Sequence, residues 1–180
     1  GMMAAVRAAQ EGASVLLFER NEKLGKKIYI TGKGRCNMTN MKPWSEFSQH
    51  VHPVAAFLRP AFYSFSNEDT VEFFNSIGVP TAVTQGDRIF PESMKASDVS
   101  RALASHVGDM GVNLITGADV LGVIRDGDSM VTSYIQSGAD NGMSVRSEAV
   151  IVATGGLSYP TTGSTGFGYE IARSFLQGCS

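Results

Sequence analysis

Gly1 and Glu19, 18 positions apart at the opening of the chain, have the spacing of residues that clasp a nucleotide. Gly1 leads into a small-residue helical stretch, Met2 to Glu11, which Gly12 stops. A short apolar strand, Ser14 to Phe18, then ends at Glu19. In a dinucleotide fold a strand enters a Gly-x-Gly-x-x-Gly turn and the amides of the next helix face a pyrophosphate. An acid about 20 residues on bonds a ribose hydroxyl. Gly1 takes the place of the last of those glycines, and the chain as given begins without the strand and the first two. An acid at this position argues against a ribose 2′-phosphate. The spacing alone is a weak signal, because any β-α-β unit can supply it.

Several elements must position these residues. The first helix puts Met2, Val6 and Ala9 on one side, with Ala4, Ala5 and Ala8 allowing close approach to a sheet. From Asn21 to Lys27 the chain turns polar and basic. Ile28 to Ile30 then enter Thr31-Gly32-Lys33-Gly34-Arg35-Cys36-Asn37, which reads as a turn or helix start. Helical patterns cover Val54 to Phe62, Asn67 to Ile77 with Asn67 as the cap, and Ser97 to Met110 with Ser97 as the cap. Thr81 to Val83 and Arg88 to Phe90 form a hairpin turning at Gln85-Gly86-Asp87. Four β-type runs follow, Val112 to Ile115, Val120 to Ile124, Met130 to Ile135 and Val145 to Val152. Their tight turns make a three-strand meander rather than a helical crossover.

The last run feeds Ala153-Thr154-Gly155-Gly156, an apolar strand entering a glycine turn. That arrangement suits the carboxyl edge of a parallel sheet, where ligands bind and small residues let a backbone approach them. Together, the glycine-to-acid unit, the meander and this second strand end indicate an α/β, Rossmann-like FAD-binding domain rather than a simple nicotinamide dehydrogenase. Composition agrees with a soluble cytoplasmic enzyme domain. Across 180 residues, 43% are hydrophobic, enough for a core, and the net charge of −2 gives no electrostatic reason for a nucleic-acid partner. No apolar run approaches the roughly 20 residues that span a bilayer. Cys36 and Cys179 form no disulfide framework and read as reduced thiols.

Two long stretches carry a family resemblance. Leu16-Leu17-Phe18-Glu19-Arg20-Asn21-Glu22-Lys23-Leu24-Gly25-Lys26-Lys27 with Thr31-Gly32-Lys33-Gly34-Arg35-Cys36-Asn37-Met38-Thr39-Asn40 resembles the BaiN-like, or aminoacetone-oxidase, flavoproteins. So do Arg88-Ile89-Phe90-Pro91 with Lys95-Ala96-Ser97-Asp98-Val99, and Ala153 to Pro160 with Thr162-Gly163-Ser164-Thr165-Gly166. The resemblance covers essentially the whole chain. It implies a glutathione-reductase-like FAD domain, here partial and lacking its first strand, with an inserted substrate domain that this chain does not include. By the same resemblance Glu19 holds the adenosine ribose, Gly1 the pyrophosphate turn, and the Val120 backbone the adenine. Arg20, Lys27 and the Gly34, Arg35, Cys36 and Asn37 segment lie along the pyrophosphate and flavin, while Thr154 and Gly155 close the far wall. Two positions depart from the pattern: Lys33 stands where relatives usually have glycine, and Phe167 where they often have aspartate.

The expected activity is an FAD-dependent oxidoreductase that moves hydride to or from a small organic substrate through flavin N5. Either an activated double bond is reduced with NAD(P)H as donor, or an amine or related carbon is oxidised by oxygen. A fumarate-reductase or ketosteroid-dehydrogenase-like flavoprotein and a non-catalytic fragment are the alternatives. The 180-residue piece by itself is expected to be colourless or to aggregate. Cys36 reads as a packed thiol, and His50, His52 and His106 as structural, with no metal set. No catalytic acid-base pair is recognisable.

Overall fold

A computed structural model describes residues 1–177, so Cys179 lies outside the described residues. The chain divides into two compact units, one of residues 1–27 with 104–180 and one of residues 28–103.

In the first unit, α1 (Met2–Gln10) buries Ala5 and Val6 and leads to β1 (Leu16–Glu19). Strand β5 (Asn113–Thr116) pairs with β1 in parallel, which sets Glu19 opposite Thr116 at the carboxyl end. Parallel pairing follows from the intervening chain, which crosses over before returning to the sheet. The meander is β6 (Ala118–Asp126), β7 (Ser129–Gln136) and β8 (Met143–Ser147), antiparallel throughout. Phe18 of β1 meets Tyr134 of β7 with ring centroids 4.7 Å apart. A β-bulge interrupts the β6–β7 register between Val120 and Gly122. The last helix is α6 (Phe167–Gln177), which turns Ile171 inward.

The expected strand from Val145 to Val152 is corrected here. Only its first residues join the meander, in β8, and residues 150–155 have no ladder. Ile151 and Val152 stand 65% and 44% exposed, and no strand among the described residues offers them a partner. A strand is held by the row of donors and acceptors beside it, so an apolar run without a neighbour stays extended but unpaired.

The second unit holds α2 (Trp44–Phe47), α3 (Arg59–Ser64), α4 (Asn67–Ser76) and most of α5 (Ala96–Asp109). The hairpin of β3 (Thr81–Thr84) and β4 (Arg88–Pro91) is as expected, turning through Gly86 and Asp87 at positive φ. A third strand, β2 (Thr39–Asn40), adds to β4. Its two residues carry too little pattern to be seen in the sequence. Cys36, Val79, Ala96 and Val99 form a core with Ile28, Met38, Phe74 and Ile77 around it. A separate aromatic cluster stacks Phe47 on Phe62 at 5.4 Å and tilts Trp44 against Phe62 at 5.3 Å.

Three helix starts differ from expectation. The cap of α4 is Ser66 rather than Asn67. Ser66 Oγ accepts from the Asp69 amide at 3.1 Å and Asp69 Oδ2 accepts from the Ser66 amide at 2.7 Å, a reciprocal capping box. Asn67, one residue in, donates instead to the Asn40 and Lys42 carbonyls. Helix α5 begins at Ala96, which places Ser97 inside its first turn. The single helix expected from Val54 to Phe62 is a 3-10 turn at Ala55–Leu58 followed by α3. Pro60, lacking an N–H, sits in the opening turn of α3, where that donor has no partner to lose.

Candidate functional site

The candidate residues fall into both units, Gly1, Glu19, Arg20, Lys27, Val120, Thr154 and Gly155 in the first, and Gly34, Arg35, Cys36 and Asn37 in the second. In the first unit the parallel pair ends at a polar rim built around Asn21. Glu19 Oε1 accepts from the Asn21 amide at 2.8 Å and from Asn21 Nδ2 at 2.6 Å. The same Nδ2 donates to the Thr162 carbonyl at 3.3 Å, and the Asn21 carbonyl accepts from the Gly117 amide at 3.1 Å. Glu19 is therefore held at the strand end through Oε1, with no hydrogen bond to Oε2 among the described residues. Gly1 opens α1 against β1, where a Cβ on it would already touch Leu17 at 3.4 Å.

Arg20 does not stand free. Its guanidinium pairs with the Asp119 carboxylate at 3.1 Å, tying the start of β6 to the end of β1. Asp119 immediately precedes Val120, whose strand is displaced by the bulge at the next residue. Bulges of this kind interrupt a ladder and re-aim the backbone, and they are frequent beside ligand sites. Pattern reading missed the bulge, although Gly122 within a strand is a recognised signal for one.

Lys27 and Gly155 come together through a residue absent from the expected set. Lys27 Nζ donates to Ser164 Oγ at 2.5 Å and to the Ser158 carbonyl at 3.0 Å. Ser164 is 4% exposed. A Cβ on Gly155 would lie 2.7 Å from Ser164 Oγ, and Gly155 has φ +78°, so only glycine fits there. Likewise a Cβ on Gly168 would lie 2.7 Å from Thr154 Oγ1. The first turn of α6 thus packs against the Thr154 and Val152 side chains, with the Gly155 carbonyl 3.9 Å from the same point. Among the described residues no carboxylate lies within ion-pair reach of the half-buried Lys27 ammonium.

In the second unit the loop from Thr31 to Asn37 is wound left-handed. Gly32, Lys33, Gly34 and Cys36 all have positive φ, between 56° and 82°. The amides of Arg35 and Cys36 close back on the carbonyls of Gly32 and Thr31 at 3.3 and 3.0 Å. This leaves Gly34, Arg35 and Asn37 exposed while the Cys36 side chain turns into the core. Burial pushes the Cys36 thiol up from its ordinary pKa, against a smaller opposing effect of its hydrogen bond with Thr31. It is a protonated packing group, and any contact it offers a ligand is through the main chain. Arg35 lies over the Phe90 ring at 5.0 Å and donates through Nε to the Gly32 carbonyl at 3.2 Å.

The first unit has what an extended dinucleotide needs. It offers a carboxylate at a parallel strand end, a helix opening beside that strand, a cation without a counter-charge among the described residues, and a glycine, Gly155, whose missing Cβ leaves room for Ser164 beside that cation. The HI0933-like protein Rossmann domain matches residues 1–178. The chain belongs to this family. Membership bears out the α/β, Rossmann-like reading and the resemblance to BaiN-like, FAD-binding flavoproteins.

Two curated relatives are similar over 97% of the chain. One is the ribosomal RNA dihydrouridine synthase of Escherichia coli (strain K12), 32% identical over 177 residues. The other is the 3-dehydro-bile acid delta(4,6)-reductase of Clostridium scindens, 34% identical over 176 residues. The chain spans 42% and 41% of their lengths. Among solved structures, 3-ketosteroid-delta4-(5alpha)-dehydrogenase from Rhodococcus jostii RHA1 shares the fold, with a TM-score of 0.54 at 17% identity over 88% of this chain and 44% of that one. Among the described residues no helix is long and apolar enough to cross a membrane.

Proposed function

We propose that the protein binds FAD along the carboxyl end of the β1–β5 pair. We further propose that the full-length protein is a flavin-dependent reductase of carbon–carbon double bonds conjugated to a carbonyl. Glu19 Oε2 accepts from an adenosine ribose hydroxyl, and the opening amides of α1 at Gly1 face the pyrophosphate with Lys27. The Val120 backbone beside the bulge takes the adenine edge, braced by the Arg20–Asp119 pair. Thr154 and Gly155 present main chain that a planar or charged ligand can approach closely. In the second unit, taken by itself, the exposed Gly34, Arg35 and Asn37, with the Cys36 main chain, are the residues that the family resemblance gives to cofactor binding. Bound flavin supplies a hydride from N5, and NAD(P)H is the proposed source of its electrons.

The observation that carries the reaction type is the pair of relatives. Their named substrates, a uridine of ribosomal RNA and a bile acid, are alike only in a double bond next to a carbonyl. Saturating such a bond needs hydride at the carbon distal to the carbonyl and a proton at the proximal one. A small organic molecule is the proposed substrate, because 15 Lys and Arg against 17 Asp and Glu give this chain no excess of cations for an RNA backbone.

The full-length protein, purified with its flavin, tests this by anaerobic reduction with NADH or NADPH followed by offered acceptors. Loss of the flavin absorbance and its return on adding an α,β-unsaturated ketone is the expected result. Return only with a uridine-containing ribosomal RNA transcript moves the substrate class to RNA. Return only with oxygen, with an amine as the reductant, overturns the reductase reading.

A further inference from the structure

The Lys27 ammonium is unusual in what surrounds it. It is half-buried, its two hydrogen-bond acceptors are a hydroxyl and a main-chain carbonyl, and no carboxylate among the described residues compensates it. An ammonium has three N–H donors, so two are committed and one remains for a ligand. A partly buried lysine normally gains an anion, and the described residues supply none. Ser164 differs from an ordinary loop serine in turn. It is 96% buried by exposure of only 4%, and its Oγ lies where a Cβ of residue 155 would have to be.

From this geometry we infer that Ser164 is a positioning residue that aims Lys27 at a phosphate group of the bound ligand, and that Gly155 is glycine to leave room for that hydroxyl. The inference rests on the FAD reading for the identity of the ligand but not for the aiming itself. Long lysine side chains lose considerable rotamer freedom when fixed. Ser164 and the Ser158 carbonyl meet that loss before the ligand arrives, so the cation is pre-organised. Ser158 and Ser164 bracket the Tyr159–Gly163 turn, in which the Thr162 amide and hydroxyl both bond the Tyr159 carbonyl at 2.9 and 2.7 Å. The turn thereby holds both acceptors at a fixed separation.

The test is a double-mutant cycle on FAD affinity of the full-length apoprotein, read by quenching of flavin fluorescence at low and high salt. Lys27→Met weakens binding and flattens its salt dependence, since one phosphate contact is lost. Ser164→Ala weakens it about tenfold, the ordinary worth of a hydrogen bond to a charged group, and Ser164→Thr restores it. In the Lys27→Met background Ser164→Ala has no further effect, because the residue acts through the lysine. Equal losses from Ser164→Ala in both backgrounds, or none in the native one, overturn the inference. If the native protein binds no FAD, the cofactor reading fails by itself. The thermal shift given by inorganic pyrophosphate then decides the inference. Its presence in the native protein with loss in both Lys27→Met and Ser164→Ala supports the aiming, and its absence in the native protein refutes it.

Discussion

At the scale of single residues, the most informative side chain is one whose backbone is left-handed although it carries a Cβ. Lys33 has φ +58°, in the left-handed region where a Cβ costs roughly 1–2 kcal/mol. Its side chain is exposed and makes no hydrogen bond among the described residues, so no contact there offsets that cost. Lys33→Gly is therefore expected to stabilise the protein, by about 0.5–1 kcal/mol after the extra chain entropy of glycine is deducted, as read from urea unfolding. Lys33→Ala, with its Cβ retained, is expected to give no comparable gain. Glu19 and Gly155 were legible in the sequence because each belongs to a short pattern with a mechanism. Asn21 and Ser164 were not. Their roles depend on the Thr162 and Gly117 main chain in one case and on Lys27 in the other, partners 96 to 141 positions away.

Secondary-structure elements show where local signals decide and where neighbours do. Helix α4 begins where Ser66 and Asp69 cap one another. The Asp69 carboxyl is held below the usual carboxylate range, first by the Ser66 amide and then by the Ser66 hydroxyl. Its contribution to stability is thus fully present above the ordinary aspartate pKa and is lost as pH falls through the depressed folded value. Acid titration followed by far-UV circular dichroism is expected to show this loss of helix at the acid end, and Asp69→Asn is expected to remove it. Ser66→Ala is expected to cost about 1 kcal/mol at neutral pH, the usual effect of deleting a cap. The Ser-x-x-Asp signature was present in the sequence, one residue before the cap that its neighbour Asn67 suggested. The run from Val150 to Thr154 is the converse case. Its composition is that of a buried strand, and only a partner strand could make it one.

For the whole molecule, the consequence is exposed apolar edge. Strand β1 is laddered to β5 alone among the described residues, and Ile151, Val152 and Leu157 are open, the last at 68%. Unpaired edges carrying apolar side chains template association between chains. The 180-residue chain expressed by itself is expected to self-associate in light scattering and to carry little flavin. Ile151→Lys is expected to shift it toward monomer, since a charge at an edge blocks pairing. A monomeric product carrying flavin near stoichiometry would show that these edges are satisfied in some other way.

The long motifs carried the family resemblance, and sequence alone also determined what periodicity and short spacing can encode: the helix and strand between Gly1 and Glu19, the hairpin at Gln85 to Asp87, and the meander. These depend on backbone preference and on apolar faces that repeat within a few residues. The tertiary structure decided the left-handed winding that turns Cys36 inward, the bulge beside Val120, and the packing of α6 against Val152 and Thr154. It also decided the closure of Ser164 on Lys27. Each of those depends on which distant atoms fill the space next to a residue, and close packing, rather than local propensity, sets that.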